Sequence, residues 1–192
     1  MKGFFVHPTA IVEENVKIGK GTRIWHFVHV REKAEIGENC SIGKGVYIDS
    51  HVRIGNNVKI QNFVSVYRGV EIADDVFIGP SVTFTNDKYP RAFNREWKII
   101  PTYVRKGASV GAGSVVICGV TLGEYCMVGA GSVVTKSIPS HGLVLGNPAK
   151  LVGYVCFKGH PMEEMESRGK HVTYRCKWCG EDIKVVLEKG GK

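Results

Sequence analysis

The stretch that decides the fold reads AEIGENCSIGKGVYIDSHVRIGNNVKI and spans residues 34–60. In it an aliphatic residue recurs at every sixth position, and a smaller residue lies two places before each one. The aliphatic series runs through Val12, Ile18, Ile24, Val30, Ile36, Ile42, Ile48, Ile54, Ile60, Val66, Ile72, Ile78 and Phe84. After a break over 85–103 it resumes at Val104, Val110, Val116, Leu122, Val128 and Val134.

A period of six matches neither an α-helix nor an alternating strand. It predicts a short strand and a sharp corner, with both small and aliphatic residues pointing inward and glycine permitting the corner. Three such units would close one triangular coil, and stacked coils would pair their backbones between layers. The alternative is a β-sandwich with chance spacing, and the length of the phased series argues against it.

Composition restricts the class of protein. The chain has 192 residues, of which 43% are hydrophobic and 23% charged, as in ordinary soluble globular proteins. It has no apolar run of membrane-spanning length and no signal peptide after Met1, so we expect a cytoplasmic protein without membrane insertion. The net charge of +8 is dispersed, which argues against nucleic-acid binding and suits contacts to small anions.

The hexad pattern over residues 6–150 resembles the hexapeptide-repeat acyltransferases. The resemblance implies an all-β, left-handed parallel β-helix, a homotrimer, and a coenzyme A site between subunits. The left hand rests on the resemblance, because the general rule for parallel crossovers favours the opposite hand. We therefore expect a β-helix domain over 1–153 with an inserted loop at 85–103, and a small Cys-rich, zinc-ribbon-like tail over 154–192.

Two segments narrow the resemblance. The segments TRIWHFVHV (22–30) and KIQNFVSVYRGVEIADDVFIGPSVTFTNDKYPR (59–91) resemble nucleotide-sugar 3-N-acetyltransferases, most specifically at FTND (84–87). This implies acetyl-CoA-dependent acetylation of a nucleotide-linked amino sugar in surface-polysaccharide synthesis. The nearest pattern is that of enzymes acting on UDP-2-acetamido-3-amino-2,3-dideoxyglucuronate. Similar enzymes act on dTDP-3-amino-3,6-dideoxyhexoses, so the sugar and the nucleotide stay open.

The distribution of histidines favours the same chemistry. An alcohol is a poor nucleophile and normally needs a His as general base, whereas a free amine can attack a thioester directly if it is aligned. No His lies between His51 and His141, the interval that contains the inserted loop. This favours N-acylation by direct attack. An O-acetyltransferase of the same fold is the alternative, and it would need His26, His29 or an Asp as base.

Stacking the coils in sequence places an outward column beside the start of the inserted loop. We predict that Asn86 hydrogen-bonds the reacting amine or the oxyanion, and that Asp87 orients the amine. The alternatives are an Asx turn for Asn86 and a loop cap for Asp87. The uronate or diphosphate is assigned to the nearby His29, Arg31 and Tyr67. The predicted substrate contacts are His29, Arg31, Gln61, Asn62, Tyr67 and Arg91.

The coenzyme side lies after the loop. The near-duplicates ASVGAGSVV (108–116) and CMVGAGSVV (126–134) are expected two coil faces apart, and their small residues would let another molecule approach the backbone. In the family such corners line the pantetheine arm, and the segment IPSHGLVLGNPAKLVG (138–153) resembles the family's terminal G-x-P-A-K segment. Corner glycines and solvated lysines are the alternative reading. The coenzyme contacts implied are Gly111, Ala112, Gly129, Ala130, Lys136 and Lys150.

Three cysteines and a histidine cluster in the tail. The pairs Cys156-x3-His160 and Cys176-x2-Cys179 have the spacing of a Cys3His zinc ribbon. Four protein ligands leave no open position, so a zinc ion here would stabilise the tail or the trimer. A disulfide is disfavoured in the cytosol, and a redox C-x-x-C lacks its usual thioredoxin-like setting.

The sequence disfavours two further classes of protein. A hexapeptide-fold carbonic anhydrase needs three His ligands from the middle coils, which the empty interval 52–140 does not supply. A non-catalytic structural β-helix would need neither the loop at 85–103 nor the repeated GAG corners.

Overall fold

A computed structural model describes residues 3–186, and every regular element in that range is a β-strand. The described chain therefore offers no helix with the length and apolar character needed to cross a membrane. The strands are β1 (Phe5–Val6), β2 (Ile11–Val12), β3 (Lys17–Ile18), β4 (Arg23–Ile24), β5 (His29–Val30), β6 (Glu35–Ile36), β7 (Ser41–Ile42), β8 (Tyr47–Ile48), β9 (Arg53–Ile54), β10 (Lys59–Ile60), β11 (Ser65–Val66), β12 (Val70–Ile72), β13 (Phe77–Ile78), β14 (Thr83–Phe84), β15 (Thr102–Val104), β16 (Ser109–Val110), β17 (Val115–Val116), β18 (Thr121–Leu122), β19 (Met127–Val128), β20 (Val133–Val134), β21 (Gly142–Leu145), β22 (Lys150–Tyr154), β23 (Glu163–Arg168), β24 (His171–Arg175) and β25 (Asp182–Val186).

The first 21 strands form a parallel β-helix with three faces. Face A is β1-β4-β7-β10-β13-β16-β19-β21, face B is β2-β5-β8-β11-β14-β17-β20, and face C is β3-β6-β9-β12-β15-β18. Each strand pairs in parallel with the strand one coil away, as where Ser65 lies between Tyr47 and Thr83. The hexad prediction of a coiled parallel structure is thus confirmed.

The corners between faces form three edges. Edge AB contains the corners 25–28, 43–46, 61–64, 79–82, 111–114 and 129–132. Edge BC contains 13–16, 31–34, 49–52, 67–69, 117–120 and the loop 85–101. Edge CA contains 37–40, 55–58, 73–76, 105–108 and 123–126. The loop ends at residue 101, two residues before the predicted end at 103, because β15 begins at Thr102 and pairs with β12.

The inward side chains of the hexads fill the β-helix. Ile42, Ile48 and Phe84 are fully buried, and Phe84 is among the largest of the buried side chains. Small hydroxyl residues occupy inward positions at the corners, where Thr22 donates a 2.7 Å hydrogen bond to the carbonyl of Gly37. The core is thus apolar at the faces, while the buried hydroxyls of Thr22 and Ser114 donate to corner carbonyls of the next coil.

The two GAG segments stack directly, which corrects the expected separation by two faces. Ser109 pairs with Met127 on face A, and Val115 pairs with Val133 on face B, so the segments lie one full coil apart on edge AB. A Cβ on Gly111 would clash with the backbone nitrogen of Ala130. Glycine is therefore required there for the coils to approach.

The tail forms a second, smaller unit. β22 pairs antiparallel with β21, and β23, β24 and β25 form an antiparallel sheet. A separate apolar cluster lies beneath this sheet and comprises Tyr154, Cys156, Met162, Cys176 and Ile183. The predicted tail extends to residue 192, and its residues 187–192 lie outside the described range.

Candidate functional site

Edge BC carries a dense group of polar and charged side chains below the loop 85–101. Arg31 has three carboxylates around it: Nη2 lies 3.1 Å from Glu32 Oε2, Nη1 lies 3.4 Å from Asp49 Oδ1, and Nε lies 3.7 Å from Glu13 Oε2. The Nε2–H of His29 donates to Glu13 Oε1 at 2.6 Å. Two predicted anion-binding residues, His29 and Arg31, are therefore already engaged by acids of the same chain.

The carboxyl of Glu13 is the strongly perturbed member of this group. The hydrogen bond from His29 is the main cause, followed by bonds from Glu32 and the charge of Arg31, and together they lower its pKa to about 2. Glu13 is thus ionised throughout the physiological range. Sequence reasoning missed Glu13 and Asp49 as site residues. Their signal was the spacing, since positions 13, 31 and 49 lie 18 residues apart and so stack on successive coils.

Asp49 is the hub of the group. Its Oδ1 accepts hydrogen bonds from the backbone N–H of Ser50 at 2.7 Å and the hydroxyl of Tyr47 at 3.2 Å, while its Oδ2 accepts from the N–H of Arg68 at 3.1 Å. Only 13% of the Asp49 side chain is exposed. The ring of Tyr67, a predicted substrate contact, packs 5.7 Å from that of Tyr47. Asp49 therefore holds together two successive corners of edge BC.

Asn86 closes the base of the loop. Its Nδ2 donates to the carbonyl of Arg68 at 3.2 Å, and its own carbonyl accepts from the N–H of Ile100 at 3.0 Å. The Asx turn considered for Asn86 is formed by its neighbour, because Asp87 Oδ1 accepts from the N–H of Tyr89 at 2.9 Å. Within the described chain, Asn86 Oδ1 accepts no hydrogen bond, so it is available to a ligand.

The rest of the loop extends into solvent. Tyr89 and Phe93 are 74% and 81% exposed, and Trp97 is also exposed. Arg91, a predicted substrate contact, donates a 2.9 Å hydrogen bond to the carbonyl of Pro90 within the loop. Bulky aromatic rings this exposed are typical of a surface that another molecule covers.

Gln61 and Asn62 lie on edge AB, on the other side of face B from Arg31. They line a cavity of about 300 Å³ together with Trp25, His26 and Lys44. Asn62 Oδ1 accepts from the backbone N–H of Lys44 at 2.9 Å. The predicted substrate contacts are therefore divided between two edges of one face.

The GAG corners continue the same edge. Gly113 donates to the carbonyl of Pro80 at 2.8 Å, and Gly131 donates to the carbonyl of Ala112 at 2.8 Å, which links these corners into one column. The predicted coenzyme contacts Gly111, Ala112, Gly129 and Ala130 thus share edge AB with Gln61 and Asn62.

The remaining predicted coenzyme contacts, Lys136 and Lys150, meet at the end of the β-helix. Both line a cavity of about 580 Å³ whose other walls include Pro148 and Leu151. Lys136 follows β20, and Lys150 begins β22. Two cations beside one cavity suit a polyanionic ligand.

The tail brings together the four predicted metal ligands. One donor atom from each of Cys156, His160, Cys176 and Cys179 lies within 4.8 Å of all the others. The Sγ of Cys176 and the Nδ1 of His160 are 3.7 Å apart. Ligand atoms at the corners of a tetrahedral zinc site are about 3.6–3.8 Å apart, as follows from usual Zn–S and Zn–N lengths. Three thiols and an imidazole suit zinc, and the separation of Cys176 Sγ from His160 Nδ1 matches the tetrahedral spacing.

Comparison with known proteins agrees with this architecture. The family model of bacterial transferase hexapeptide repeats matches residues 15–50, 51–86 and 101–136. The chain belongs to the hexapeptide-repeat acyltransferase family. It is 60% identical over 158 residues, covering 79% of each chain, to a dTDP-3-amino-3,6-dideoxy-α-D-galactopyranose 3-N-acetyltransferase of Aneurinibacillus thermoaerophilus.

Solved structures show the same fold. A variant of the GDP-perosamine N-acetyltransferase of Caulobacter crescentus, in complex with CoA and GDP-perosamine, matches with a TM-score of 0.54 and 25% identity. The match covers 77% of this chain and 55% of that one, so this hexapeptide acyltransferase spans about half of the neighbour's length. A putative acetyltransferase of Bacillus cereus matches with a TM-score of 0.54 and 22% identity over 80% of this chain and 83% of that one.

Proposed function

We propose that the protein transfers the acetyl group of acetyl-CoA to the 3-amino group of a nucleotide-linked amino sugar. The observation that carries the proposal is the 60% identity, over 79% of each chain, to an enzyme named for this reaction. The solved neighbour that contains both CoA and a nucleotide-linked amino sugar supports it. In the reaction the amine nitrogen attacks the thioester carbonyl, a C–N bond forms and the C–S bond breaks. CoA leaves as its thiol with the proton that the amine gives up.

Asn86 is our candidate for orienting the amine. Its Nδ2 is held by the carbonyl of Arg68, which leaves Oδ1 as the atom that accepts a hydrogen bond from the attacking amine. This favours the amine-orienting role over the oxyanion role. Asp87 is occupied by the turn to Tyr89 and acts through the shape of the loop base. Aligning the amine, rather than deprotonating it by a protein base, supplies the rate enhancement.

The charge on edge BC bears on the sugar. A uronate would need a cation, but Arg31 already faces Glu13, Glu32 and Asp49, and His29 is bonded to Glu13. Three carboxylates around one guanidinium leave this local group of side chains negative, which repels a carboxylate placed beside Arg31 and tolerates an uncharged sugar. We therefore favour a dTDP-linked 3-amino-3,6-dideoxyhexose over the UDP-linked uronate suggested by the sequence patterns. Arg31 and His29 then have no uronate to bind. We assign the diphosphate contacts to edge AB and the loop, including Gln61, Asn62 and Arg91.

Thiol release from acetyl-CoA tests the reaction and the sugar together. The panel contains dTDP-3-amino-3,6-dideoxygalactose, UDP-2-acetamido-3-amino-2,3-dideoxyglucuronate, and the dTDP sugar with a 3-hydroxyl. We expect turnover with the first and at least tenfold lower kcat/KM with the second. Turnover with the hydroxyl sugar alone would favour the O-acetyltransferase alternative. A preference for the uronate would refute the charge argument and leave N-acetylation intact.

A pair of loop variants tests Asn86. We expect Asn86→Ala to lower kcat by about 10–100-fold, the range for a displaced or missing positioning contact. Asn94→Ala is the matched control, since it removes the same side chain from the same loop, and the Oδ1 of Asn94 accepts a local bond from the N–H of Glu96. Equal activity of the two variants would remove Asn86 from the mechanism.

The assembly and the location also enter as proposals. Exposed Tyr89, Phe93 and Trp97 support a homotrimer in which a neighbouring subunit covers the loop and completes the site. Light scattering should then give about three times the 21.1 kDa chain mass; a monomeric mass would contradict it. We place the enzyme in the cytoplasm, in the synthesis of a surface polysaccharide.

We propose a structural Zn²⁺ bound by Cys156, His160, Cys176 and Cys179. Support comes from the donor set and the 3.7 Å separation of Cys176 Sγ from His160 Nδ1. The ion would crosslink the tail and take no part in acetyl transfer, because all four positions are filled by protein. Elemental analysis should find one zinc per chain, and a folded protein without metal would refute the site.

A further inference from the structure

The zinc cluster joins the tail sheet to the end of the β-helix. Cys156 comes two residues after the end of β22, and the N–H of Cys156 donates to the carbonyl of His160 at 3.0 Å. Cys176 and Cys179 lie between β24 and β25. The apolar cluster beneath them contains few side chains, and a unit this small needs a crosslink to stay folded. The four ligands are placed to supply it.

The segment 155–160 grips the last coil directly. The ring of Phe157 packs edge-on against Tyr125 at 4.6 Å and His141 at 4.8 Å. The N–H of Val155 donates to the carbonyl of His141 at 2.8 Å, and the carbonyl of Val155 accepts from the Nδ1–H of His141 at 2.9 Å. The first two metal ligands, Cys156 and His160, therefore lie in a segment that already packs on edge CA.

Segment 155–160 directly follows β22, the strand that lines the cavity of Lys136 and Lys150. Lys150 and Leu151 of β22 line the cavity, and the N–H of Ala149 donates to the carbonyl of Val133 at 2.8 Å. β22 pairs with β21 on one side, and its residues Lys150 to Val152 are exposed. Its hold on the β-helix therefore combines the pairing with β21 along the strand and the contacts of segment 155–160 at its C-terminal end.

We infer that zinc binding in the tail controls the affinity for coenzyme A by holding β22, and with it Lys150, against the end of the β-helix. The inference rests on the proposed function, since it takes this cavity as the coenzyme's phosphate site. Without metal, segment 155–160 loses its crosslink to the tail sheet. β22 then separates from the β-helix, beginning at the C-terminal end of the strand. If the seated strand is then populated about one-tenth of the time, the apparent Kd for CoA rises about tenfold.

The test compares the zinc-loaded full-length protein, the same protein after chelation and dialysis, and the chelated protein with zinc restored. Calorimetry measures the Kd for CoA, and amide exchange reports on 141–157, with 46–66 as an internal reference. After chelation we expect an about tenfold weaker Kd and faster exchange at 141–157 as well as in the tail sheet, with 46–66 unchanged, and zinc should reverse these effects. The KM for the sugar should stay unchanged.

Variants distinguish the effect of the metal from the effect of the Phe157 contacts with the last coil. Phe157→Ala should keep one zinc per chain and still weaken CoA binding, because the contacts to Tyr125 and His141 are lost. Met165→Ala is the control, as another exposed apolar side chain of the tail, and should alter neither quantity. Cys179→Ser should lose both zinc and affinity.

Three results would overturn the inference. The first is a purified, folded protein that contains no zinc, because zinc could then not control its affinity for CoA. An unchanged Kd after chelation leaves the zinc site and the acetyltransferase proposal standing but disproves the coupling. Failure of the zinc-loaded protein to bind CoA refutes the proposed function itself, and the inference with it.

Discussion

Replacing Asp49 with Asn removes a charge from the hub of edge BC while keeping its size. The carboxylate accepts from the N–H of Ser50, the N–H of Arg68 and the hydroxyl of Tyr47, and it faces the guanidinium of Arg31. An amide can keep one acceptor oxygen and turns an NH2 group toward the other donors. At least one bond to a charged acceptor is lost, and such a bond contributes about 1.5–3 kcal/mol.

The expected loss of stability for Asp49→Asn is therefore about 2 kcal/mol. For a chain of this length that lowers Tm by about 4–8 °C. The effect on catalysis follows from two hydrogen bonds that connect Asp49 to Asn86 through the backbone of Arg68. The N–H of Arg68 is held by Asp49, and the carbonyl of Arg68 holds Asn86. A shift of Asn86 by a fraction of an ångström to 1 Å should lower kcat by about 10–100-fold.

Thermal melts and acetyl-CoA kinetics measure both effects. The KM for acetyl-CoA should not change, because the predicted coenzyme contacts lie on edge AB and at the end of the β-helix. Asp75→Asn is the matched control. The carboxylate of Asp75 accepts a 3.0 Å hydrogen bond from Asn57 on edge CA and forms an exposed ion pair with Lys106. Such an exposed pair contributes little to stability. A kcat of Asp49→Asn within twofold of the unmodified enzyme, or an equal loss in Asp75→Asn, would refute the reasoning.

Two further predictions concern the coils and their acid stability. Gly111→Ala should lower stability by about 2–4 kcal/mol and raise the KM for acetyl-CoA, since the added Cβ meets the backbone of the next coil. Gly113→Ala, with φ +68° and open space around the Cβ position, should cost only about 1–2 kcal/mol; equal denaturation midpoints would contradict this. Because the pKa of Glu13 is lowered to about 2 when folded, its stabilising effect is present above the ordinary pKa of 4.5 and is lost as pH falls toward 2. Glu13→Gln should therefore flatten the pH dependence of Tm in that window, and an unchanged slope would show that its bonds to His29 do not stabilise the fold.

The site was only partly predictable from sequence. The column of Arg31 and Tyr67, the loop and the four candidate metal ligands could be read from spacing, because stacked coils convert a difference of 18 positions into adjacency. The engagement of Arg31 by acids could not, since it depends on which rotamers meet across the coils. The charge of a side chain is visible in a sequence, but its neutralisation by neighbours is not.

The sequence by itself determined the coiled architecture, since only one backbone path buries an aliphatic residue every six positions and lets glycine make the corners. It also determined the family, through motifs that lie on that path. The tertiary structure alone decided that Lys136 and Lys150 line one cavity and that Asp49 connects Arg31 to the base of the loop. These are relations between residues of different coils and of the tail, and they arise when backbone hydrogen bonds set the register and side chains then compete for the same space and partners.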